Sequence, residues 1–324
     1  MSNFKVVRYS QQYFEAWNEF VINAKNATFL FNREFMEYHN KRFQDFSLLV
    51  FKDKKLVAIF PANKEKHTVY SHQGLSYGGL ILPNSLSFES VLQVFSGLLK
   101  FLLENEVQKL VIKQIPKIYN SKYADELDYL VFILKAKLYR RDISMVISNQ
   151  LKPNYSELRR REIKRATNSD LKLVSNDDFL PFWDFILKPN LKDTFGVDPV
   201  HSLSEINHLK EKFPNNITQY NVYDKKEILA GCTVFESKSV VHLQYISTKK
   251  NNKKGALSFL IHTLISDIYK DKKYFDFGIS NENQGKNINL GLLNWKQSFG
   301  ASALVHDFYE IETTNYKLLD NVFI

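Results

Sequence analysis

The feature that most constrains this fold is the stretch of residues 240–279, whose pattern predicts a strand, a basic turn, a helix and a second strand. Apolar and aromatic residues alternate along the first strand, at Val241, Leu243 and Tyr245. The lysine-rich turn ends at Gly255, an amphipathic helix follows, and Gly278 ends the second strand. Such a βαβ unit places a helix N-terminus beside a strand end. Because the first helical turn has free N–H groups and the positive end of the helix dipole, we expect this turn to bind an anion.

Composition limits the classes of protein that fit the chain. With 324 residues and 44% hydrophobic content, the chain is long enough for two domains with large cores. The net charge of +9 indicates anionic partners, although a lysine-rich solvated surface explains charge equally well. The single cysteine, Cys232, excludes an internal disulfide and is typical of a reducing compartment. No signal peptide or membrane-spanning run is recognisable, so the sequence predicts a soluble, cytoplasmic protein.

The two halves of the chain repeat one order of elements. Each half has helices first, then an antiparallel hairpin, then a strand, a turn, a helix and a strand. In the first half the last step comprises the glycine-bearing segment 69–82, a helix at 88–105 and a strand at 108–114. In the second half it is the stretch that begins at residue 240, and a polar loop is predicted at 188–199. We therefore predict domains at 1–150 and 151–324.

Several longer stretches carry a family resemblance. They are FLFNREFMEYHNKRFQDFSLLVF, LVAIFPAN and YSHQGLSYGG in the first half, and RRREIKRA, LAGCTVF and YFDFGISNENQGKNINLGLLNWKQSFGA in the second. The chain resembles GNAT acyltransferases, in the tandem FemAB/FemX-like branch that includes peptidyltransferases. The resemblance implies an α/β (α+β) chain of two tandem GNAT-like units, each a mixed, mostly antiparallel twisted sheet flanked by helices. The first unit would be structural or hold the substrate, and the second would hold the acyl donor.

The resemblance also implies the donor and the residues that bind it. No cofactor would be tightly bound; acyl-CoA, such as acetyl-CoA, or an aminoacyl-tRNA would serve as donor substrate. The expected donor-binding residues are Gln244, Ser247, Lys253, Lys254, Gly255 and Ala256. GNAT enzymes usually hold the pyrophosphate with an Arg/Gln-x-x-Gly-x-Gly/Ala loop, and here residues 251–256 keep only the final Gly-Ala. The choice between the two donors therefore stays open.

Acyl transfer to an amine needs an oriented donor, a deprotonated amine and stabilisation of the oxyanion. The catalytic candidates are His72, Asp276 and Tyr245, since histidine is a base near neutral pH and a carboxylate among aromatics needs a partner. A structural role for His72 is the alternative. Cys232, among apolar neighbours, is expected to be inert. His201 and His208 lie outside any recognised metal motif.

The substrate-side candidates belong to polar or basic segments of both halves. They are Tyr77, Gly78, Arg160, Lys164, Asn281, Asn289 and Lys296. Core packing for the tyrosine and solvation for the basic residues are the alternatives. The expected partners are a small-molecule or nucleotide-linked substrate, tRNA, and peripheral contact with an anionic membrane. Three functions remain: an N-acyltransferase acting on an amine of a cell-envelope or polysaccharide precursor, an aminoacyl-tRNA-dependent peptidyltransferase, and a non-catalytic binding protein on the same scaffold.

Overall fold

The computed structural model describes residues 4–149, 153–252 and 254–324. The elements up to residue 148 are β1 (Phe4–Arg8), a 3₁₀ turn (Gln11–Tyr13), α1 (Phe14–Asn23), a 3₁₀ turn (Phe29–Phe31), α2 (Arg33–Glu37), β2 (Leu48–Lys52), β3 (Lys55–Phe60), β4 (Asn63–Glu65), β5 (Thr68–Tyr70), α3 (Phe88–Glu104), β6 (Lys109–Lys113), a 3₁₀ turn (Lys117–Tyr119), α4 (Glu126–Ile133) and β7 (Lys137–Ser148).

The remaining elements form a second series. They are α5 (Glu157–Thr167), β8 (Leu171–Asn176), α6 (Leu180–Phe182), a π-helical turn (Trp183–Leu187), α7 (Lys188–Phe195), α8 (Leu203–Lys212), β9 (Ile217–Asp224), β10 (Glu227–Glu236), β11 (Val240–Thr248), α9 (Ala256–Thr263), a π-helical turn (Leu264–Ile268), β12 (Tyr274–Ile279), β13 (Asn281–Glu282), β14 (Asn287–Ile288), α10 (Leu290–Gln297), β15 (Ser302–Glu312) and a 3₁₀ segment (Thr313–Leu319).

The chain divides into two compact units whose bounds differ from the division at 150/151. The first unit holds the chain up to residue 142, with 284–286 and 305–324, and the second holds 143–283 and 287–304. β7 begins in the first unit and ends in the second, and β15 runs in the opposite sense. A strand that passes from one unit to the other leaves no linker composition in the sequence, so the domain division at 150/151 stays a prediction.

The first unit has a three-stranded antiparallel sheet, β1-β2-β3, and a second set of strands in the order β4-β5-β6-β15. β5 and β6 are parallel, with Thr68 opposite Lys109, and α3 makes the crossover between them. The Ser87 hydroxyl accepts from Ser90 N–H and so caps α3, whose apolar face then packs into the core. The helix and the second strand of the predicted step are confirmed, whereas the strand predicted at 69–82 is limited to Thr68–Tyr70.

The second unit orders its strands β7-β12-β11-β10-β9-β8, and β11 and β12 are parallel. The other pairs in this unit's sheet are antiparallel, so each unit has a mixed, mostly antiparallel sheet flanked by helices, as predicted. Leu243 of β11, Leu260 of α9 and Phe275 of β12 lie together in its core. The βαβ prediction for residues 240–279 is confirmed.

One local prediction in the second unit is wrong, and one strand was not predicted. The expected polar loop at 188–199 is largely helical, because α7 continues α6 through the π-helical turn and ends at Gly196, whose φ is +68°. Pro189, which has no N–H to donate, directly follows the π-helical turn within this continuous helical stretch. β8 was not predicted, since only half of its residues are apolar, only Leu171 is buried, and it is an edge strand with one paired neighbour, β9.

Candidate active site

An opening between β11 and β12 is the most distinctive feature of the second unit. Their parallel pairing runs only from Val240 opposite Tyr274 to His242 opposite Asp276. Immediately beyond it, β11 carries a bulge: Thr233 of β10 pairs with Tyr245 and Val234 pairs with Leu243, so one residue of β11 is left over. Bulges of this kind end pairing and redirect side chains beside active sites. The two central strands therefore separate at a defined point.

The bulge also moves Tyr245 to the other face of the sheet. Leu243 belongs to the core with α9, whereas the Tyr245 ring packs edge-on against Trp183, with ring centroids 5.0 Å apart. The expected period-two alternation through Tyr245 is therefore wrong, because one extra residue reverses the side on which later residues fall. Its hydroxyl accepts from His201 N at 3.1 Å and lies 2.6 Å from His201 Nδ1. Burial raises the pKa of Tyr245 to about 12, so this phenol stays protonated at neutral pH.

Asp276 lies at the point of separation and is 4% exposed. Its Oδ1 accepts from Ser144 Oγ at 2.6 Å and from Gly278 N at 2.8 Å. Its Oδ2 lies 3.0 Å from His242 Nδ1. Burial alone would raise the pKa of Asp276, but the neighbouring His242 and these hydrogen bonds hold it well below the usual range of aspartate. The carboxylate is therefore ionised and fully engaged.

Lys296 of α10 lies beside this carboxylate and is 2% exposed. Its ammonium donates to the carbonyl oxygens of Gly278 at 2.8 Å and Ile279 at 2.6 Å, at the end of β12. Burial lowers the pKa of Lys296 to about 8, while the negative charge of Asp276 acts in the opposite direction. The alternative of a solvated lysine is wrong, since the side chain holds the irregular end of β12.

A groove of about 350 Å³ lies along the separated end of β11. Its lining is an apolar set with a few polar groups: Leu187, Asn190, Leu191, Thr194, Phe195, Ile246, Ser247, Thr248, Lys250 and Leu257. Asn190 Nδ2 donates to Ser247 Oγ and to the Thr248 carbonyl, both at 2.8 Å, and so fixes α7 to the strand end. Ser247, an expected donor-binding residue, therefore lies at the groove, and its role in donor binding stays a prediction.

The basic turn before α9 is partly neutralised by acidic neighbours. Lys254 pairs with Asp224, and Lys250 pairs with Asp193 at 2.8 Å. Gly255 has φ of +72° and packs against α5, where a Cβ would come within 3.0 Å of Glu162. The Lys250–Asp193 pair is exposed on both sides and contributes little to stability, whereas Asp224 is largely buried.

The other expected donor-binding residues differ in their surroundings. Ala256 is fully buried at the start of α9, so only its backbone N–H is offered to a ligand. Gln244 is the unpaired residue of the bulge. Lys253 lies outside the described residues.

The expected substrate residues of the second unit have mainly structural partners. Asn281 Oδ1 accepts from Ile143 N, and Asn289 caps α10 by accepting from Leu292 N at 3.0 Å. Arg160 is exposed and donates to Asn154 Oδ1 at 3.0 Å, and Lys164 is exposed on the same helix. The two asparagines thus shape the loop and helix beside the site, and the basic pair remains a surface feature.

The expected residues of the first unit are packed in its interior. His72 is 4% exposed, and burial together with nearby His39 lowers its pKa to about 3, so it is a neutral, weak base at pH 7. Tyr77 lies against Tyr119 with ring centroids 4.6 Å apart. Gly78 leaves no space for a side chain, since a Cβ would lie 2.0 Å from the Ser71 carbonyl oxygen. These positions support the structural alternatives stated for the histidine and the tyrosine.

Sequence reasoning missed His242, Ser144 and Asn190. His242 lies two residues before Gln244 on β11, a strand that the sequence predicted. Because successive residues of a strand face opposite sides, His242 must lie on the face opposite to the apolar Val241, and this was the signal that could have identified it. Ser144 and Asn190 carried no signal, because their roles depend on neighbours 132 and 57 residues away. Cys232 is buried, and burial raises the pKa of its thiol, as expected of an inert cysteine.

The described residues also bear on metal binding and on membrane insertion. No group of three or more His, Cys, Asp or Glu side chains in these ranges is placed to hold a metal ion. None of the helices in the described part of the chain has both the length and the apolar content needed to cross a bilayer.

Comparison with known proteins gives similarity in structure alone. No protein-family model matches the sequence, and no curated protein matches it either. The crystal structure of FemX matches with a TM-score of 0.67 and 10% identity, over 98% of this chain and 99% of that chain. L-PGS from Bacillus licheniformis matches with a TM-score of 0.58 and 10% identity, over 96% of this chain and 94% of that one. A protein of unknown function from Bacteroides thetaiotaomicron reaches 0.59 at 11% identity, over 96% and 100%. The chain thus shares its fold with FemX and L-PGS along nearly its whole length.

Proposed function

We propose that the chain is an N-acyltransferase that passes an acyl group from a CoA-type thioester to an amine of a cell-envelope or polysaccharide precursor. The observation that carries the proposal is the separation of β11 from β12 beyond His242 and Asp276, with the groove alongside. Separated central strands leave backbone groups of β11 unpaired on the β12 side for an extended donor arm, and the bulge at Gln244 lies where this separated stretch begins.

The groove suits an amphipathic arm that ends in phosphate. Leu191, Ile246 and Leu257 supply apolar contact, and the Asn190 amide lies at the strand end. Lys250 and Leu257, which belongs to the first turn of α9, both line the groove, and a cation and a helix N-terminus each favour an anion.

The chemistry requires no covalent enzyme intermediate. The donor carbonyl lies near the bulge of β11, the acceptor amine attacks it, and the tetrahedral intermediate collapses with loss of the carrier. Lys296 contributes positive charge beside the end of β12, which favours the oxyanion over the neutral carbonyl. Cys232 is buried and takes no part.

Filling the groove tests this proposal. Thr194 is exposed and lines the groove, so Thr194→Trp should leave the fold intact while its indole occupies the donor site. We expect acetyl-CoA to stabilise the wild-type protein by about 2.7 kcal/mol at 100 times its Kd, and the variant to lose this gain. Thermal unfolding with and without acetyl-CoA measures both.

Lys192→Trp is the matched control, because Lys192 is exposed on the same helix and does not line the groove. This variant should respond to acetyl-CoA as the wild-type protein does. Equal stabilisation of all three proteins by acetyl-CoA would remove the groove from the donor site, and no stabilisation of the wild-type protein by any acyl-CoA would contradict a CoA-type donor.

A second candidate function is aminoacyl transfer from tRNA. The structural similarity to FemX extends over 98% of this chain, and α5 exposes Arg160, Arg161, Lys164 and Arg165. A surface with four cations suits a phosphate backbone. We expect aminoacyl-tRNA binding that weakens steeply with salt, and Lys164→Glu with Arg165→Glu should reduce both affinity and salt slope.

Filter binding of charged tRNA at several salt concentrations measures this affinity, with Lys238→Glu and Lys270→Glu as a matched pair of charge reversals elsewhere on the surface. Tight tRNA binding without any response to acyl-CoA would favour this second function. If the protein binds neither donor, the non-catalytic alternative gains.

A further inference from the structure

We propose that His242 is the base that takes the proton of the acceptor amine, and that Asp276 is the residue that positions it. The inference rests on the proposed transfer to an amine, and it adds the proton acceptor which that reaction needs. Sequence patterns gave this role to His72, which lies in the first unit and is nearly fully buried.

The imidazole of His242 lies close to the point where β11 and β12 separate. His242 is the last residue of β11 that pairs with β12, and the bulge at Gln244 follows two residues later. At about 3.3 Å per strand residue, the two positions are about 7 Å apart along β11. The imidazole therefore lies beside the place where the strands open and where the donor carbonyl is expected.

The contact with Asp276 sets the tautomer of His242. Asp276 is ionised, so both of its oxygens can only accept hydrogen bonds. The contact of 3.0 Å between Oδ2 and His242 Nδ1 therefore requires the hydrogen to be on Nδ1. In neutral His242 the lone pair is consequently on Nε2, the nitrogen that points away from the carboxylate.

The imidazole of His242 is accessible to a substrate. The His242 side chain is 21% exposed, whereas the Asp276 side chain is 6% exposed. Within the described part of the chain, Nε2 of His242 has no hydrogen-bond partner, and a Cβ on Gly278 would come within 3.2 Å of Cε1. The glycine thus leaves the imidazole edge uncovered while the buried carboxylate holds its other side.

The other acid–base groups near the opening are less suited to the task. Tyr245, with a pKa of about 12, is hydrogen-bonded to His201. Lys296, with a pKa of about 8, is 2% exposed and donates to two carbonyls. Ser144 donates its hydroxyl hydrogen to Asp276. Each of these groups already has a protein partner that fixes its proton.

The proton balance of the step is complete. The amine nitrogen forms a bond to the carbonyl carbon, and its proton passes to His242 Nε2. Asp276 stabilises the imidazolium through Nδ1–H. When the intermediate collapses, the bond from carbon to the carrier breaks, and the departing sulfur or oxygen takes the proton from Nε2.

The first test measures the tautomer directly. In protein labelled with ¹⁵N-histidine, we expect His242 to have its hydrogen on Nδ1, with His242→Gln identifying the signal. Asp276→Asn should shift the signal toward the Nε2–H form, and Ser144→Ala, which keeps the carboxylate, should shift it less. A wild-type His242 that has its hydrogen on Nε2 would overturn the inference, whatever the transferase activity.

The second test measures transfer from acetyl-CoA to glycinamide, a small primary amine. His242→Gln should lower kcat/KM by about 10²- to 10⁴-fold and abolish its fall on acidification, while acetyl-CoA still stabilises the protein. His208→Gln, the same change at an exposed histidine, should have no effect. Unchanged rate and pH profile in His242→Gln would overturn the inference. An inactive wild-type protein would instead contradict the proposed function, and the tautomer measurement would still decide the position of the base.

Discussion

Replacing Asp276 by alanine is expected to lower the free energy of unfolding by about 3–5 kcal/mol, because it removes a buried carboxylate that accepts several hydrogen bonds and offsets a buried ammonium. The change removes the acceptor for Ser144 Oγ and Gly278 N, and it leaves the buried Lys296 ammonium without its nearby negative charge. Urea unfolding at pH 7, followed by circular dichroism, measures the loss. Asp198→Ala, at an exposed aspartate, should stay within about 0.5 kcal/mol of the wild-type protein.

Asp276 and Lys296 each make the free energy of unfolding depend on pH. The pKa of Asp276 is depressed in the folded state, so its contribution is present above the unfolded value of about 3.9 and is lost as pH falls. Lys296 has a folded pKa of about 8, below the usual lysine value of 10.5, so the free energy of unfolding rises with pH between those two values. In Asp276→Ala, the part of the free energy of unfolding that is lost on acidification because Asp276 becomes protonated should disappear. An equal loss of stability on acidification in both proteins would contradict the assignment to Asp276.

The order of elements around the site could be predicted because it depends on local pattern. The β11–α9–β12 step has the right periods, turn residues and lengths within one stretch of chain, and the first half repeats the step with α3. The helix α7 was not predicted because its polar residues and Pro189 are typical of a loop. It forms as a continuation of the preceding π-helical turn.

The chemistry of the site could be predicted only where one residue is conspicuous by itself. Asp276 stood out as a carboxylate among aromatic residues, and it has partners as expected. His242 is brought to it by the register of two parallel strands, and register is not written in either strand alone. The bulge at Gln244 likewise changes no composition, yet it reverses the face on which Tyr245 lies.

Lys296 and His72 show the same limit in opposite directions. Lysine in a polar helix is usually solvated, but the carbonyls at the end of β12 hold this one in the interior. Histidine before a glycine suggested a base, but packing against His39 and Phe43 encloses this one in an aromatic cluster, with ring centroids 5.1 and 5.5 Å away. Burial depends on tertiary contacts, so a single sequence does not reveal it.

Gly78 gives the second large expected effect. Its N–H donates to the Lys113 carbonyl at 2.6 Å, and a Cβ would lie 2.0 Å from the Ser71 carbonyl oxygen. Backbone atoms cannot rotate away, so Gly78→Ala must push apart the segment that closes over the end of β6. We expect the free energy of unfolding to fall by about 3 kcal/mol, at the upper end of overpacking costs. Chemical unfolding of the purified variant measures the change.

Gly97→Ala, in the same unit, separates this effect from the general effect of adding a methyl group. Gly97 lies inside α3, and its Cβ would meet only Val6 Cγ2, at an ordinary contact distance of 3.9 Å. Because glycine is a poor helix former and leaves the unfolded chain more entropy, this variant should be more stable by about 0.5–1 kcal/mol. Opposite signs for the two substitutions would assign the role of Gly78 to close backbone packing. Equal, small effects would show that the 71–78 segment can move, and would return Gly78 to the substrate-binding role that its sequence context suggests.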